Sequence, residues 1–291
     1  MSPDQVVARE RRFALPVAVA SFAAVVAFIV AIAVNQGGTL SEADTDAQFL
    51  AEFEDNSGSQ LLGAVFQALG LLLVIPALYY LFHAAAARTD AVRRALVGIT
   101  VAGPLFVAVG AILQWYAFDQ AASEFATPGG GAGIAVGVYA EDLIQDQATF
   151  DAAQGFTFAG TLGLVVAIIY TSLHAMRTGL LTRFWGTLGM ALGVSVLFLG
   201  FFGILVYVLA LGLLIGGWWP GGRPPAWEAG EAIPWLRPGE APADQPGEGA
   251  PDQPSEAPAE QPAGQGAEAS TEPAPEAESS PAPQKRKRRR E

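Results

Sequence analysis

Five stretches of this chain carry no Asp, Glu, Lys or Arg: Phe13–Val34, Leu61–Ala85, Ala95–Phe118, Ala152–Met176 and Phe184–Gly222. They constrain the fold more than any other feature, because about 20 apolar residues in a helix match a hydrocarbon core of about 30 Å. The first four each have the length of one crossing. The fifth is too long: at 1.5 Å per residue it would make a helix of roughly 58 Å. A break at Gly200-Phe201-Phe202-Gly203 divides it into Trp185–Leu199 and Ile204–Trp219. One steeply tilted helix, giving five crossings, is the alternative. Apolar residues make up 52% of the chain and charged residues 15%, well below the ~25% of an average soluble protein. The expected fold class is therefore all-α: an integral membrane helical bundle with six transmembrane helices and a disordered C-terminal tail. The spans fall at 13–34, 61–85, 95–118, 152–176, 185–199 and 204–219 within a membrane domain of residues 13–222.

Charge separates six crossings from five. The segment after the first span holds Glu42, Asp44, Asp46, Glu52, Glu54 and Asp55 and no base. The segment from Asp119 to Asp151 likewise has six acids and no base. By contrast Arg9, Arg11 and Arg12 precede the first span, Arg88, Arg93 and Arg94 follow the second, and Arg177 and Arg183 follow the fourth. Lys and Arg near span ends are retained on the cytoplasmic side. The N-terminus (residues 1–12) is thus expected inside and both acidic segments outside. With six spans Arg223, Arg237 and the terminal basic cluster also fall inside, so all 16 basic residues share the cytoplasmic side of the membrane. A cleaved signal peptide is the rival reading of the first segment, since Arg11 and Arg12 precede it and Ala31-Ile32-Ala33 resembles a cleavage site. Its apolar run exceeds the 7–15 residues or so of a signal core, which favours an uncleaved anchor. Trp115, Tyr116, Trp185, Trp218 and Trp219 fall near span ends, where amphipathic rings sit among headgroups.

Short external helices are expected near 41–55 and 137–150. Ser41 followed by Asp44 resembles a capping box, and Phe49, Leu50 and Phe53 recur at helical spacing. Tyr139, Leu143 and Ile144 mark the second, after the breaker Pro128-Gly129-Gly130-Gly131. Asp55-Asn56-Ser57-Gly58 lacks the alternating oxygen ligands and closing glutamate of a calcium loop, so a solvated acidic surface is the better reading. Residues 223–239 form a Pro/Trp-rich juxtamembrane segment. Residues 240–284 are rich in Pro, Ala, Glu and Gln, with ten acids and no base or aromatic. Such a composition cannot bury enough apolar surface to order itself. The tail, residues 240–291, closes on Lys285-Arg286-Lys287-Arg288-Arg289-Arg290, which can contact anionic lipid headgroups at about 1 kcal/mol per residue. Nucleic acid is a poor partner, because no folded recognition element accompanies the basic run.

A partial repeat offers a polar site within the membrane. Tyr79-Tyr80-Leu81-Phe82-His83-Ala84 and Tyr170-Thr171-Ser172-Leu173-His174-Ala175 end the second and fourth spans, 91 residues apart. In each, Tyr and His lie four apart and share a helix face. Tyr79, His83, Tyr170 and His174 form either a paired polar site between repeated hairpins or ordinary interfacial residues. Gln67 and Gln114 are costly in hydrocarbon and are expected to hydrogen-bond to neighbouring helices, with a polar pore lining as the alternative. Pro76 and Pro104 are candidate kinks. Gly189 and Gly193, and Gly212 and Gly216, have the small-residue spacing that lets helices approach closely.

Enzymatic readings find little purchase. The chain has no cysteine and two histidines, which excludes thiolate sites and histidine-rich metal sites. No span carries a carboxylate, lysine or arginine, which weakens proton-relay and ion-coupled schemes and removes intramembrane aspartyl chemistry. Gly193-Val194-Ser195 is an incomplete nucleophile motif, and no phosphate-binding glycine loop is present. No cofactor is implied.

Two stretches carry a family likeness. Residues Asp46-Ala47-Gln48-Phe49-Leu50-Ala51-Glu52-Phe53-Glu54-Asp55-Asn56 resemble the external helix of a bacterial family of multi-span membrane proteins. Gly217-Trp218-Trp219-Pro220-Gly221-Gly222-Arg223-Pro224-Pro225-Ala226-Trp227-Glu228 resembles the sequence after the last span in uncharacterised actinobacterial members. The resemblance covers residues 10–236 and implies six spans and an actinobacterial source. It implies no activity, so no functional residue carries over. The expectation is a non-enzymatic module working through the bilayer, a protein partner or its own copies. A small-solute transporter or ligand-binding protein built on the Tyr/His helix ends is the alternative.

Overall fold

The computed structural model describes residues 2–36, 45–127, 135–200 and 202–235, and among these every regular element is helical. In chain order they are α1 (Pro3–Gln36), α2 (Asp46–Ala86), α3 (Val97–Phe125, entered through a 3-10 turn at Arg94–Leu96) and α4 (Val136–Gln145). Then come α5 (Ala148–Arg177), α6 (Arg183–Leu199), α7 (Phe202–Gly216) and the one-turn α8 (Ala226–Ala229). The tail, Arg237, the basic cluster and residues 41–44 and 128–131 lie outside the described residues.

Four of these helices, α1, α2, α3 and α5, are long and apolar enough to cross a membrane, and α6 and α7 are shorter apolar helices. Only 39–44% of the most apolar window of each long helix is buried inside the protein. The remainder faces outward as Val19, Val26, Ile29, Leu62, Leu69, Phe106, Phe158 and Val166. A helix apolar on all sides yet half uncovered needs hydrocarbon around it. This is a membrane protein.

Packing is antiparallel between successive long helices. Gly70 of α2 lies under the Phe28 ring of α1, and Gly63 lies under Asn35. The Trp115 indole of α3 donates to the Ser57 carbonyl of α2 at 3.2 Å. Between α3 and α5 the backbones nearly touch. A Cβ on Gly103 would lie 2.6 Å from the Leu164 nitrogen, and one on Gly160 would lie 2.6 Å from the Val107 nitrogen. These glycines allow dispersion contact along two whole helices, the usual glue where lipid competes for apolar surface. Leu71, Leu78 and Leu81 of α2, Leu164 and Ile168 of α5, and Ile204, Leu211 and Ile215 of α7 fill the centre.

The long fifth apolar stretch folds as an α6–α7 hairpin. Gly200 takes φ +61° and ψ −147°, outside the range of other residues, and ends α6. Gly203 then packs against Ser195 and Leu192, and Gly189 against Tyr207, so the two helices run antiparallel.

Two expectations need adjusting. The helix expected near 41–55 is not separate, because α2 is one helix of 41 residues, capped by the Thr45 side chain accepting from the Gln48 amide at 3.3 Å. Nothing in Asp55–Gly58 breaks it: the Asn56 side chain donates to the Glu52 carbonyl at 2.8 Å, along the helix. The last apolar helix ends at Gly216, short of Trp219. Gly217 (φ +80°) closes it, with the Trp218 amide bonded to Leu213 O and the Gly217 amide to Leu214 O, the paired bonds of a Schellman motif. The candidate kink positions Pro76 and Pro104 lie inside α2 and α3.

Hydrogen bonds join the segments near the arginines at one end of the bundle: Arg88 meets Glu10, the Arg93 amide meets the Tyr170 hydroxyl, and Trp227 meets Leu180. At the opposite, acidic end Leu50 and Phe53 of α2, Ala121 and Ala122 of α3, and Ala140 and Leu143 of α4 make a second small core. Phe49 and Phe118 meet edge to face there, 5.0 Å apart.

Candidate functional site

The basic end is closed by the chain itself. Beyond Gly217 the segment 218–235 turns back across the ends of α1, α2, α5 and α7. Trp218 packs on Phe22 of α1 at 5.7 Å. Arg223 donates to the terminal carbonyls Leu214 O (3.2 Å) and Ile215 O of α7. A cation at a helix C-terminus is favourable both as a cap and against the helix dipole. Trp227 of α8 is buried, donates to Leu180 O at 2.9 Å and stacks on Tyr80 at 5.9 Å. The amide of Ile233 donates to Thr178 O (3.1 Å), the Trp235 indole to Leu181 O (2.8 Å), and Arg183 to Trp235 O (2.9 Å). Leu180 and Leu181 follow Gly179 (φ +79°), which ends α5 in a second Schellman turn.

Arg88 and Glu10 are the centre of this closure. The guanidinium is bidentate on the carboxylate, at 2.5 and 3.0 Å, and also donates to Ala84 O and Ala226 O, both at 2.9 Å. Its side chain is 0% exposed and that of Glu10 6%. Tyr80 donates to the Glu10 carbonyl at 3.0 Å, and the Trp227 ring lies 5.7 Å from the guanidinium. The chemistry here is structural: all of these polar groups are spent on one another. Below the returning segment a cavity of about 260 Å³ is lined by Trp185, Tyr207, Trp219, Arg223 and Trp235.

The two Tyr–His pairs have matching geometry. Tyr79 and His83 rings lie 4.3 Å apart at 51°, and Tyr170 and His174 rings 4.4 Å apart at 51°. Among the described residues no ring contact joins the two histidines. Phe82 meets His83 at 5.7 Å and Tyr170 at 6.2 Å, linking the two pairs through one ring. His83 and Tyr79 line an α1–α2 groove of about 530 Å³ with Phe13 and Pro76, whereas His174 is buried. The Tyr170 hydroxyl is occupied by the Arg93 amide at 2.8 Å.

The glycine positions divide by role. Gly189 lies on Ser172 of α5 and Tyr207 of α7, Gly193 on Ile168, and Gly212 on Ser21 of α1. Gly216 faces Trp218 of its own chain rather than another helix. Ser195 is a packing residue whose hydroxyl donates to Leu192 O at 2.7 Å.

At the acidic end Gln67 and Gln114 make no hydrogen bond to a neighbouring helix among the described residues; both line one cavity of about 240 Å³ together with Asn35, Gln60, Phe49, Phe53, Trp115 and Phe118. The amide nitrogen of Gln60 is buried there without a hydrogen-bond partner among the described residues. Gln60 and Gln67 share a face of α2 at a seven-residue spacing, as do Gln114 and Phe118 of α3 at four. That periodicity could have flagged Gln60. Asn35 carried no signal beyond its position at the end of the first apolar run.

No protein-family model matches this chain, no curated protein is similar to it, and no solved structure matches its fold. What the fold defines is a class: a polytopic helical membrane bundle.

Proposed function

We propose that the chain is a six-span module of a bacterial plasma membrane that works by binding at its two faces, without chemistry of its own. In this reading α6 and α7 cross as a hairpin, both termini are cytoplasmic, and the acidic end is external. The actinobacterial resemblance of residues 10–236 belongs to the same proposal. The observation that carries it is the returning segment, whose exit at Trp235 is pinned to α5 and α6 through Leu181 and Arg183. A bundle laced at its basic end suits a fixed platform better than a carrier that must rock open. The platform delivers the tail at the inner surface, where the 285–290 cluster meets anionic lipid or a protein partner. Photocrosslinking in cells from positions within 240–291 tests this: lipid or protein adducts that depend on the basic cluster support it, and their absence refutes it.

A second reading rests on the α1–α2 groove beside Tyr79 and His83. There the protein carries a small solute, and His83→Ala with His174→Ala should abolish a measured flux while expression is preserved; an unchanged flux refutes this reading.

A further inference from the structure

We propose that the cavity at the acidic end is a binding site for a neutral polyhydroxylated group, one sugar or polyol ring. The argument begins with what lines it. Asn35, Gln60, Gln67 and Gln114 bring four carboxamides to one space from three helices. Each carboxamide offers two N–H donors and an oxygen that accepts twice. Among the described residues no hydrogen bond joins these side chains to one another or to a neighbouring helix, and the buried Gln60 nitrogen has no partner at all.

That arrangement runs against the usual economy of membrane helices. A buried polar atom without a partner costs about 1–3 kcal/mol, and leucine at Gln60 would avoid that cost. Gln67 stands about 9 Å along its helix from the start of the apolar run at Leu61, inside hydrocarbon depth. The unpartnered Gln60 nitrogen, with three further carboxamides lining the same space, is readily explained by something that occupies it.

The lining also selects the occupant. Among the described residues no ionisable side chain borders the cavity, so a charged group would meet no counter-charge from them. Carboxamides satisfy partners that both donate and accept, which describes hydroxyl groups. The remaining walls are aromatic: Phe49, Phe53, Phe118 and Trp115. An aromatic face covers the C–H side of a sugar ring while the amides take its hydroxyls. The Trp115 ring is held in place, because its N–H is already donated to Ser57 O at 3.2 Å. The volume, about 240 Å³, lies just under the range of about 300–1,000 Å³ typical of small-molecule pockets, so it admits one ring rather than a chain of them.

This deepens the binding-module reading, and rests on it only for the side of the membrane that the cavity faces. The ring can arrive as a free saccharide or as the headgroup of a glycolipid; the chemistry is shared. The test uses the full-length protein in two preparations. In detergent, glucose, mannose and myo-inositol are titrated by ligand-observed saturation-transfer NMR. In nanodiscs, monoglucosyl diacylglycerol is added to a phosphatidylcholine bilayer and thermal stability is followed. Saturable binding in the first arm means a free ligand; a stability gain in the second alone means a lipid-borne one. Gln60→Leu and Gln114→Leu should fold at least as well as the parent and weaken binding by at least about tenfold, the cost of one lost hydrogen bond. Gly98→Ala, which meets nothing within 4 Å, should leave it unchanged. No saturable response in either arm, or responses that survive both leucine variants, overturns the proposal. Because detergent exposes both faces, that failure is separate from any error in the proposed topology.

Discussion

Arg88 and Glu10 face each other as a bidentate ion pair, tying the end of α2 to the start of α1 across 78 residues of sequence. Both side chains are almost wholly out of water, and the Ala226 carbonyl completes the guanidinium's hydrogen bonds. Burial makes such a pair costly to break rather than strongly stabilising in itself. It also gives the returning segment a single place to dock.

Glu10→Ala should therefore destabilise the protein by about 3–5 kcal/mol, because Arg88 would be left charged and buried without its partner. Replacing both residues with methionine should recover much of that loss. Unfolding in mixed micelles, run as a double-mutant cycle, measures both. A loss below about 1 kcal/mol for Glu10→Ala would place the pair among surface bridges and contradict the burial.

The closed end can be probed through Trp227. The chain has no cysteine, so one introduced thiol reports alone. Ala226→Cys, at a position 0% exposed, should resist maleimide in the otherwise native protein. Adding Trp227→Ala removes a side chain whose loss costs about 3–5 kcal/mol, and labelling should accelerate by more than about tenfold. Equal rates in the two backgrounds would mean the segment is not held by that ring.

Gly103 and Gly98 lie in one helix and should respond oppositely to alanine. At Gly103 the new methyl meets the α5 backbone, so the helices must separate, at about 1–3 kcal/mol. At Gly98 it meets nothing within 4 Å, and the better helix propensity should stabilise by up to about 1 kcal/mol. Thermal unfolding of the two variants side by side decides it.

The parts of this fold that read directly from sequence are those set by composition along the chain. The apolar runs, the break at Gly200 and the gathering of basic residues at one end all follow from which residues hydrocarbon excludes. The parts that did not read depend on distant partners. Nothing local joins Glu10 to Arg88, or marks residues 218–235 as a folded closure rather than a linker. A four-residue spacing of small residues marks Gly189 and Gly193 but not Gly103 and Gly160, where the backbones of α3 and α5 nearly touch, because their own spacings are not four. Gln67 and Gln114 stood out as costly, yet hydrogen bonding to a helix was the natural expectation. Only the positions of Asn35 and Gln60 turn them into the lining of a cavity. The capping box and the spacing of Phe49, Leu50 and Phe53 read as a short external helix, but no proline or left-handed glycine ends it before the apolar run, so the two are one helix.

The account stands on the two ends of the bundle facing opposite sides of the membrane, with the chain returning to the basic side after α7. Single cysteines at Asp46 and Glu231, both exposed, test this in bacterial cells with a membrane-impermeant maleimide. The predicted result is labelling of Asp46→Cys in intact cells and of Glu231→Cys only after permeabilisation. Labelling of Glu231→Cys in intact cells would put the returning segment outside and contradict the six-span account.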